Sequence, residues 1–444
     1  MDESSLRELL RGATEPEPPI GQLVSNSLRA GARVRRRRLV LSAAAAAASI
    51  AAIGVVTAML TGAPGRPPAT RTATAEPSAG QLIHGHWVRM PPAPIQMCGP
   101  LAVWDGRDLV AIQEPGSSCP LGAAEYDPLA NRWTKIAAPP MLKGQRAVDA
   151  AGGGRVVVVL NTGATYSWRQ VTGRWQRLGT LPAGRNQYSV AWTGRTFLVT
   201  RLYSWGPRGP GKAFELAGRR WTALPDLPQP PRGRLEQALP IALNGAVYVL
   251  VSIMVTHHTT PNGQPGLYGT GYVELLRLTS SGWSHVPLGP GGPKSELELA
   301  QVHGAILAAG SYCGGLCTQE NGSAALLRPG SSASVTPLKP PLGVPYPWNF
   351  AAGSRAIVVT YTAGLGDLSY GQNIPPGTCY VYDLATGTWR RGPTAPASPL
   401  TLGPAYWTPV GVISLGQSDG GVDPALARTG GWLLRPAGSR SARQ

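Results

Sequence analysis

Two segments of this chain share one framework: YDPLANRW at 126–133 and YDLATGTW at 382–389. Each sets a Tyr, then an Asp, then a Trp six residues after that Asp. A recurring unit constrains a fold more than local propensity does. A unit too small to bury its own apolar face must stack on copies of itself. The spacing returns in weaker form in FELAGRRW (214–221), in SWRQVTGRW ending at Trp175 and in LLRLTSSGW ending at Trp283. In LLRPGSSASV (326–335) the register continues, with Ser334 where the Trp would stand. Each copy reads as a strand, a short turn built on Asp or Gly, and a second strand opening near the Trp.

A second signature alternates with the first: a strand, a tight Gly turn, then a strongly apolar strand. It recurs seven times, as LAVWDGRDLVAIQ, DAAGGGRVVVVL, SVAWTGRTFLVT, IALNGAVYVLVS, AQVHGAILAAG, AAGSRAIVVTY and AYWTPVGVISLG. Runs such as RVVVVL and AVYVLV lack alternation, so both their faces are expected to be covered by packed neighbours. Each unit then holds four strands, a to d. Seven units at roughly 50-residue spacing predict an all-β fold, a seven-bladed β-propeller. LIHGHWVRMPPAP (82–94) reads as a d strand with no blade before it, and GGWLLRP (430–436) as a c strand with no d strand after it. The N-terminal strand is therefore expected to complete the last blade and leave no open edge in the ring.

WVRMPPAP, LAVWDGRDLVAIQ and GAAEYDPLANRW together resemble bacterial Kelch-repeat propellers, which are similar in fold to the central domain of galactose oxidase. The resemblance covers residues 81–436 and implies a protein- or glycan-binding role. One departure stands out. Kelch repeats usually carry Gly-Gly after strand b, where this chain has Ile112-Gln113, Thr200-Arg201, Val251-Ser252 or Ala309-Gly310.

Residues 39–60, LVLSAAAAAASIAAIGVVTAML, carry no charge. As a helix they would be about 33 Å long, enough to cross a bilayer core. Arg29, Arg33, Arg35, Arg36, Arg37 and Arg38 precede them, and only Arg66 and Arg71 follow closely. Positive-inside asymmetry then predicts a single-pass anchor in the cell membrane, with residues 1–38 cytoplasmic and the propeller extracytoplasmic. The rival is a cleaved export signal, with Arg36-Arg37 as a twin-arginine element and Thr61-Gly62-Ala63 as the cleavage site. The long leading segment and long apolar run argue against it. Residues 61–80 read as a Pro/Ala/Thr linker and 437–444 as a disordered tail.

The net charge of +17 comes from 40 basic and 23 acidic residues; beyond residue 80 the basic excess is scattered between acids and glycines, with no long basic helix or nucleic-acid module. No catalytic constellation, cofactor site or metal-ligand set is expected. His257-His258 is a loop pair without a third ligand, and Asp383 lacks the Gly two residues on that sialidase-type Asp boxes show. Trp133, Trp175, Trp221, Trp283 and Trp389 keep the repeat register and are assigned to blade packing, and Asp127 and Asp383 to fixing c–d turns.

The a–b turns are uniformly short, whereas the expected b–c loops 202–212, 252–271, 310–323, 362–378 and 416–429 are long and irregular. Length variation on one face of a repeat fold marks a candidate binding face. Its candidate contact residues are Tyr203, Trp205, Tyr268, Tyr312, Tyr361 and Tyr370, and the expected partner is a protein or envelope glycan. The alternative is a propeller enzyme, an oxidase or glycan hydrolase, using a pocket on that long-loop face. Among five cysteines, Cys98 and Cys119 should meet at one end of blade one and pair, as export favours. Cys313 and Cys317 are a second candidate pair, with Cys379 left free or pairing with either.

Overall fold

The computed structural model describes residues 76–116, 119–182, 186–203, 210–259, 265–288, 297–311, 322–339, 341, 349–360, 377–396, 401–417 and 430–439. No helix among them is long and apolar enough to cross a membrane. The expected span 39–60, the cytoplasmic segment 1–38 and most of the linker lie outside the described residues.

Among the described residues, seven four-stranded antiparallel sheets account for the strands. Six are built from consecutive strands, within 101–136, 147–177, 186–223, 234–286, 297–338 and 349–391. The seventh combines Thr401–Thr408, Gly411–Gln417 and Trp432–Arg435 with His86–Arg89 from the other end of the chain. Trp87 sits opposite Leu434 and Arg89 opposite Trp432 in that ladder. The first strand of each sheet touches the first strand of its neighbours, and Leu101–Trp104 of blade one meets Thr401–Thr408 of blade seven. The fold is a seven-bladed β-propeller with the a strands innermost.

The second strands show why the apolar runs lack alternation. Leu109–Gln113 and Ala356–Thr360 are buried at every position, and Arg155–Leu160 at all but the first. Side chains on both faces pack into clusters shared between blades, so that Val157 and Val159 meet Tyr188 and Val199, and Val156 and Val158 meet Val110 and Ile112. Each such side chain contributes roughly 1.5–3 kcal/mol relative to exposure.

The repeat tryptophans begin the outer strands, opposite an aromatic or leucine on the c strand. Tyr126 faces Trp133 with ring centroids 5.0 Å apart, Trp168 faces Trp175 at 5.6 Å, and Tyr382 faces Trp389 at 4.9 Å. The c–d turns are fixed as expected. Asp127 Oδ1 accepts from the Leu129 and Ala130 N–H groups, and Asp383 Oδ1 from that of Ala385.

Three segments depart from the sequence reading. Residues 79–83 form a short helix, α1 (Ala79–Ile83), where linker and strand were expected. Ser78 and Gln81 make a reciprocal capping box, and Ala79 and Leu82 are buried. The expected loop 252–271 is largely sheet, lying within strands Ala246–Thr259 and Pro265–Thr279. Its β-branched and aromatic residues favour extended backbone. His257-His258 therefore lies on strand backbone, not in a loop. Third, the tail is held through 439, because Ala437 N–H donates to Gln81 O at 2.8 Å and Ser439 Oγ to Pro436 O at 2.7 Å.

Chain contacts separate a unit holding most of the blades from a smaller one that includes the strand ends 257–259 and 265–268.

Candidate functional site

In an antiparallel blade, a–b and c–d turns leave one end, and b–c and d–a connections the other. The first end is compact. Residues 153–154, 244–245, 303–304 and 409–410 join a to b, and 218–219 and 280–281 join c to d. At the other end, 204–211, 312–321, 361–378 and 418–431 join b to c. Trp205, Tyr312, Tyr361 and Tyr370 fall in these connections and lie outside the described residues, as do Cys313 and Cys317. Tyr203 and Tyr268, expected in loops, belong instead to strands. Tyr203 ends Phe197–Tyr203 opposite Asn186, and Tyr268 lies within Pro265–Thr279. The alternating pattern of FLVTRLY prolongs the first ladder, and the aromatic and β-branched residues of YGTGYV the second.

Cys98 and Cys119 are joined, with Cα atoms 6.3 Å apart. Gln113, buried between them in sequence, accepts from Cys98 N–H at 2.7 Å and donates to Glu114 O at 2.9 Å. Glu114 Oε1 accepts from Ala147 N–H at 2.6 Å, tying this connection of blade one to the innermost strand of blade two. Cys379 is a free, buried thiol whose Sγ donates to Pro393 O at 3.3 Å. Burial pushes it up to about 12.

A cavity of about 560 Å³ occupies the axis, walled by innermost strands of blades one, three, four, five, six and seven. Trp104, Phe350, Tyr406 and Trp407 supply aromatic surface, and Glu298 supplies a carboxylate. Glu298 stands second in Leu297–Val302, near the strand's start and hence toward the long-connection end. Asp149, third in Ala147–Gly152 of blade two, acts electrostatically on Tyr406 together with Glu298. Desolvation dominates all three groups. It pushes the Asp149 carboxyl up to about 7, with the charge on Glu114 adding to the rise and a backbone hydrogen bond opposing it. It raises Glu298 as well. It also raises the Tyr406 phenol, which the charges on Asp149 and Glu298 lift further. Asp149 is half-buried and does not line the cavity, whereas Glu298 lines it and is exposed. Asp149 Oδ2 has no hydrogen-bond partner.

These axial acids were not anticipated from sequence. Their only signal is an acid interrupting an apolar strand, in AVDAAG and in LELAQV. Among the described residues no three His, Cys, Asp or Glu side chains gather as a metal-ligand set.

No family model matches this chain, and no curated protein matches it. Solved structures do. One titled "Structure of YjhT" shares 14% identity over 53% of this chain and 83% of that one, with a TM-score of 0.38. Another, titled "Crystal Structure of Mitotic Checkpoint Complex", shares 9% identity over 86% of this chain and 98% of that one, with a TM-score of 0.44. At these identities the likeness concerns fold alone.

A second cavity, of about 580 Å³, lies at the short-turn end beneath α1, bordered by His303, Arg328, Ser354, Arg355 and Asp383. Glu76 holds its border residue Ser354, with Oε2 accepting from Ser354 N–H at 2.7 Å and Ser354 Oγ at 2.5 Å.

Proposed function

We propose that this chain is a membrane-anchored, extracytoplasmic binding module of Kelch type, presenting the long-connection end of its propeller to a protein or envelope glycan. The observation that carries this reading is where the chain joins the propeller. Ser354 lies in the a–b turn of blade six, and Glu76 holds it. Gln81 of α1 in turn holds Ala437, just past the last strand. Residues 76–85 thus meet the propeller at its short-turn end. The long connections leave the opposite end of the blades, free to meet a partner. The Cys98–Cys119 bridge agrees with an oxidising compartment. The Kelch reading draws support from the repeated pairing of a c-strand aromatic with a d-strand Trp.

Two measurements test the proposal. In a chain with Cys313 and Cys317 replaced by serine, Ser5→Cys should resist a membrane-impermeant thiol reagent in intact cells, and Arg440→Cys should react. Recovery of a soluble exported protein beginning near Pro64 would overturn the anchor. For the face, Trp205→Ala with Tyr370→Ala should abolish capture of the partner recovered from envelope extract. Arg107→Ala with Arg195→Ala, on the short-turn end, should leave capture intact, and the reverse pattern would overturn the assignment.

A further inference from the structure

Exposed apolar side chains are few on these blades and unevenly placed. Among the described residues the large ones are Leu129, Leu142 and Val171. Leu129 and Val171 occupy the c–d turns of blades one and two, at the short-turn end, and Val171 is 93% exposed. A hydrogen bond joins the two blades beside these turns. Arg107, in the a–b turn of blade one, donates to Gln170 Oε1 at 3.3 Å, and Gln170 immediately precedes Val171.

The charge around Val171 is of one sign. Arg169 and Arg174 stand directly opposite each other in the ladder of blade two, a placement of like charges that costs stability. Arg155 adjoins them, because the next residue, Val156, faces Trp168 in the neighbouring ladder. Among the described residues no ion pair engages Arg155, Arg169 or Arg174, whereas Arg107 meets Asp108 at 3.4 Å and Arg195 meets Glu215 at 3.4 Å. The nearby acids serve their own turns. Asp105 accepts from the Arg107 and Asp108 N–H groups, Asp127 accepts from those of Leu129 and Ala130, and Asp108 is buried.

We propose that the short-turn end of blades one and two rests on an anionic lipid surface, with Val171 and Leu129 entering the headgroup boundary and Arg155, Arg169 and Arg174 meeting lipid phosphates. A guanidinium matches phosphate geometry with its planar fork. A bilayer interface takes up apolar side chains set beside basic ones, and anionic headgroups attract each base near the surface. A soluble polyanion would satisfy the arginines and leave both apolar tips in water. Residues 76–85 meet the propeller at this same end. The contact is separate from the long-connection face and does not require 39–60 to span a membrane.

The test uses the full chain with Cys313 and Cys317 replaced by serine. An environment-sensitive dye is attached to Thr172→Cys, beside Val171, or to Leu142→Cys at the opposite end of the blades. Vesicles are phosphatidylcholine alone or with about 30% phosphatidylglycerol. The dye at 172 should shift to the blue, and be quenched by spin-labelled lipid, with the anionic vesicles only, and the dye at 142 with neither. Arg169→Glu with Arg174→Glu should weaken vesicle association at 172 roughly tenfold or more. Val171→Ser with Leu129→Ser should weaken it severalfold. Lys135→Glu with Lys143→Glu makes the same charge change toward the long-connection end and should leave the response as in the parent. Silence at 172, equal responses in the two kinds of vesicle, or an equal response at 142 overturns the inference. A response to soluble polyphosphate that matches the anionic vesicles would also overturn it, making the row a polyanion site. Flotation with phosphatidylcholine vesicles reports the anchor separately, so failure of the anchor and failure of this contact are read apart.

Discussion

Single side chains carry the joins between blades. Trp175 donates its indole N–H to Ala137 O at 2.6 Å, Trp283 to Pro225 O at 2.8 Å, and Trp87 to Pro393 O at 2.8 Å. Each acceptor lies four residues beyond the repeat Trp of the preceding blade. Trp87 thereby occupies the same structural position as the tryptophans of the repeat, and Pro393 O also receives the Cys379 thiol. Trp87→Phe keeps most of the packing and loses the hydrogen bond, so it should cost about 1 kcal/mol, read from chemical unfolding. Trp87→Ala also opens a cavity and should cost roughly 3–5 kcal/mol. Equal losses in the two would mean that the indole N–H contributes nothing. A different constraint governs Gly152, where an added Cβ would sit 2.0 Å from Trp192 Cγ of the next blade. Gly152→Ala should destabilise by roughly 1–3 kcal/mol, and Trp192→Leu in the same chain should recover part of that. Additive losses would show that the clash is relieved elsewhere. The repeat tryptophans were legible because spacing alone identifies them. The Gly152–Trp192 contact was not, because it joins neighbouring blades and leaves no local pattern. Cys379 offers a third check. With its pKa pushed up to about 12 and its thiol buried, it should resist a thiol reagent at pH 8 until the chain is denatured.

At the scale of elements, His86–Arg89 is the outer strand of a sheet whose other three strands come from residues 401–435. Deleting 86–89 would unpair Trp432–Arg435 and leave an open edge, a template for association between chains. It would also remove Trp87 from the cluster it shares with Val381, Cys379 and Leu434. The expected outcome is a much lower melting temperature with concentration-dependent aggregation, measured by calorimetry and light scattering. A melting temperature equal to that of the intact chain would show that the ring is held by other contacts. The strand itself was legible, because a d-type segment preceded the first blade and a c-type segment lacked its mate. Helix α1 was not, since five residues are too few to display a helical period. Its capping pair Ser78 and Gln81 was the available clue. The full length of Ala246–Thr259 and Pro265–Thr279 was missed for a related reason. Gly and Thr among the aromatics of that segment read as loop, and ladder pairing overrode them.

Across the whole molecule, bases lie mainly outside and several acids are drawn inward, an arrangement that no local pattern announces. Asp149 and Glu298 stand some 150 residues apart on apolar strands, and only the ring brings them to one axis. Asp108 is buried at the blade one–two junction, where it accepts from Gln170 Nε2 while its other oxygen has no partner. Burial pushes Asp108 up to about 6, with Asp105 adding to the rise, and Asp149 up to about 7. Burial likewise raises Glu114, Glu125 and Glu298. In every case the folded state holds its proton more tightly than the unfolded chain does. A raised carboxyl contributes stability that is fully present below its unfolded pKa, near 4, and is lost as pH rises through its folded pKa. The protein should therefore be more stable at pH 5 than at pH 8, with the decline spread between about pH 4 and 7. Asp149→Asn keeps the shape and removes the proton's site, so it should flatten the upper part of that decline and raise the melting temperature at pH 8. Urea unfolding of the parent and the variant at half-unit pH steps measures both effects. A parent whose stability climbs from pH 5 to pH 8 would mean that these carboxylates are ionised and paired in the folded chain.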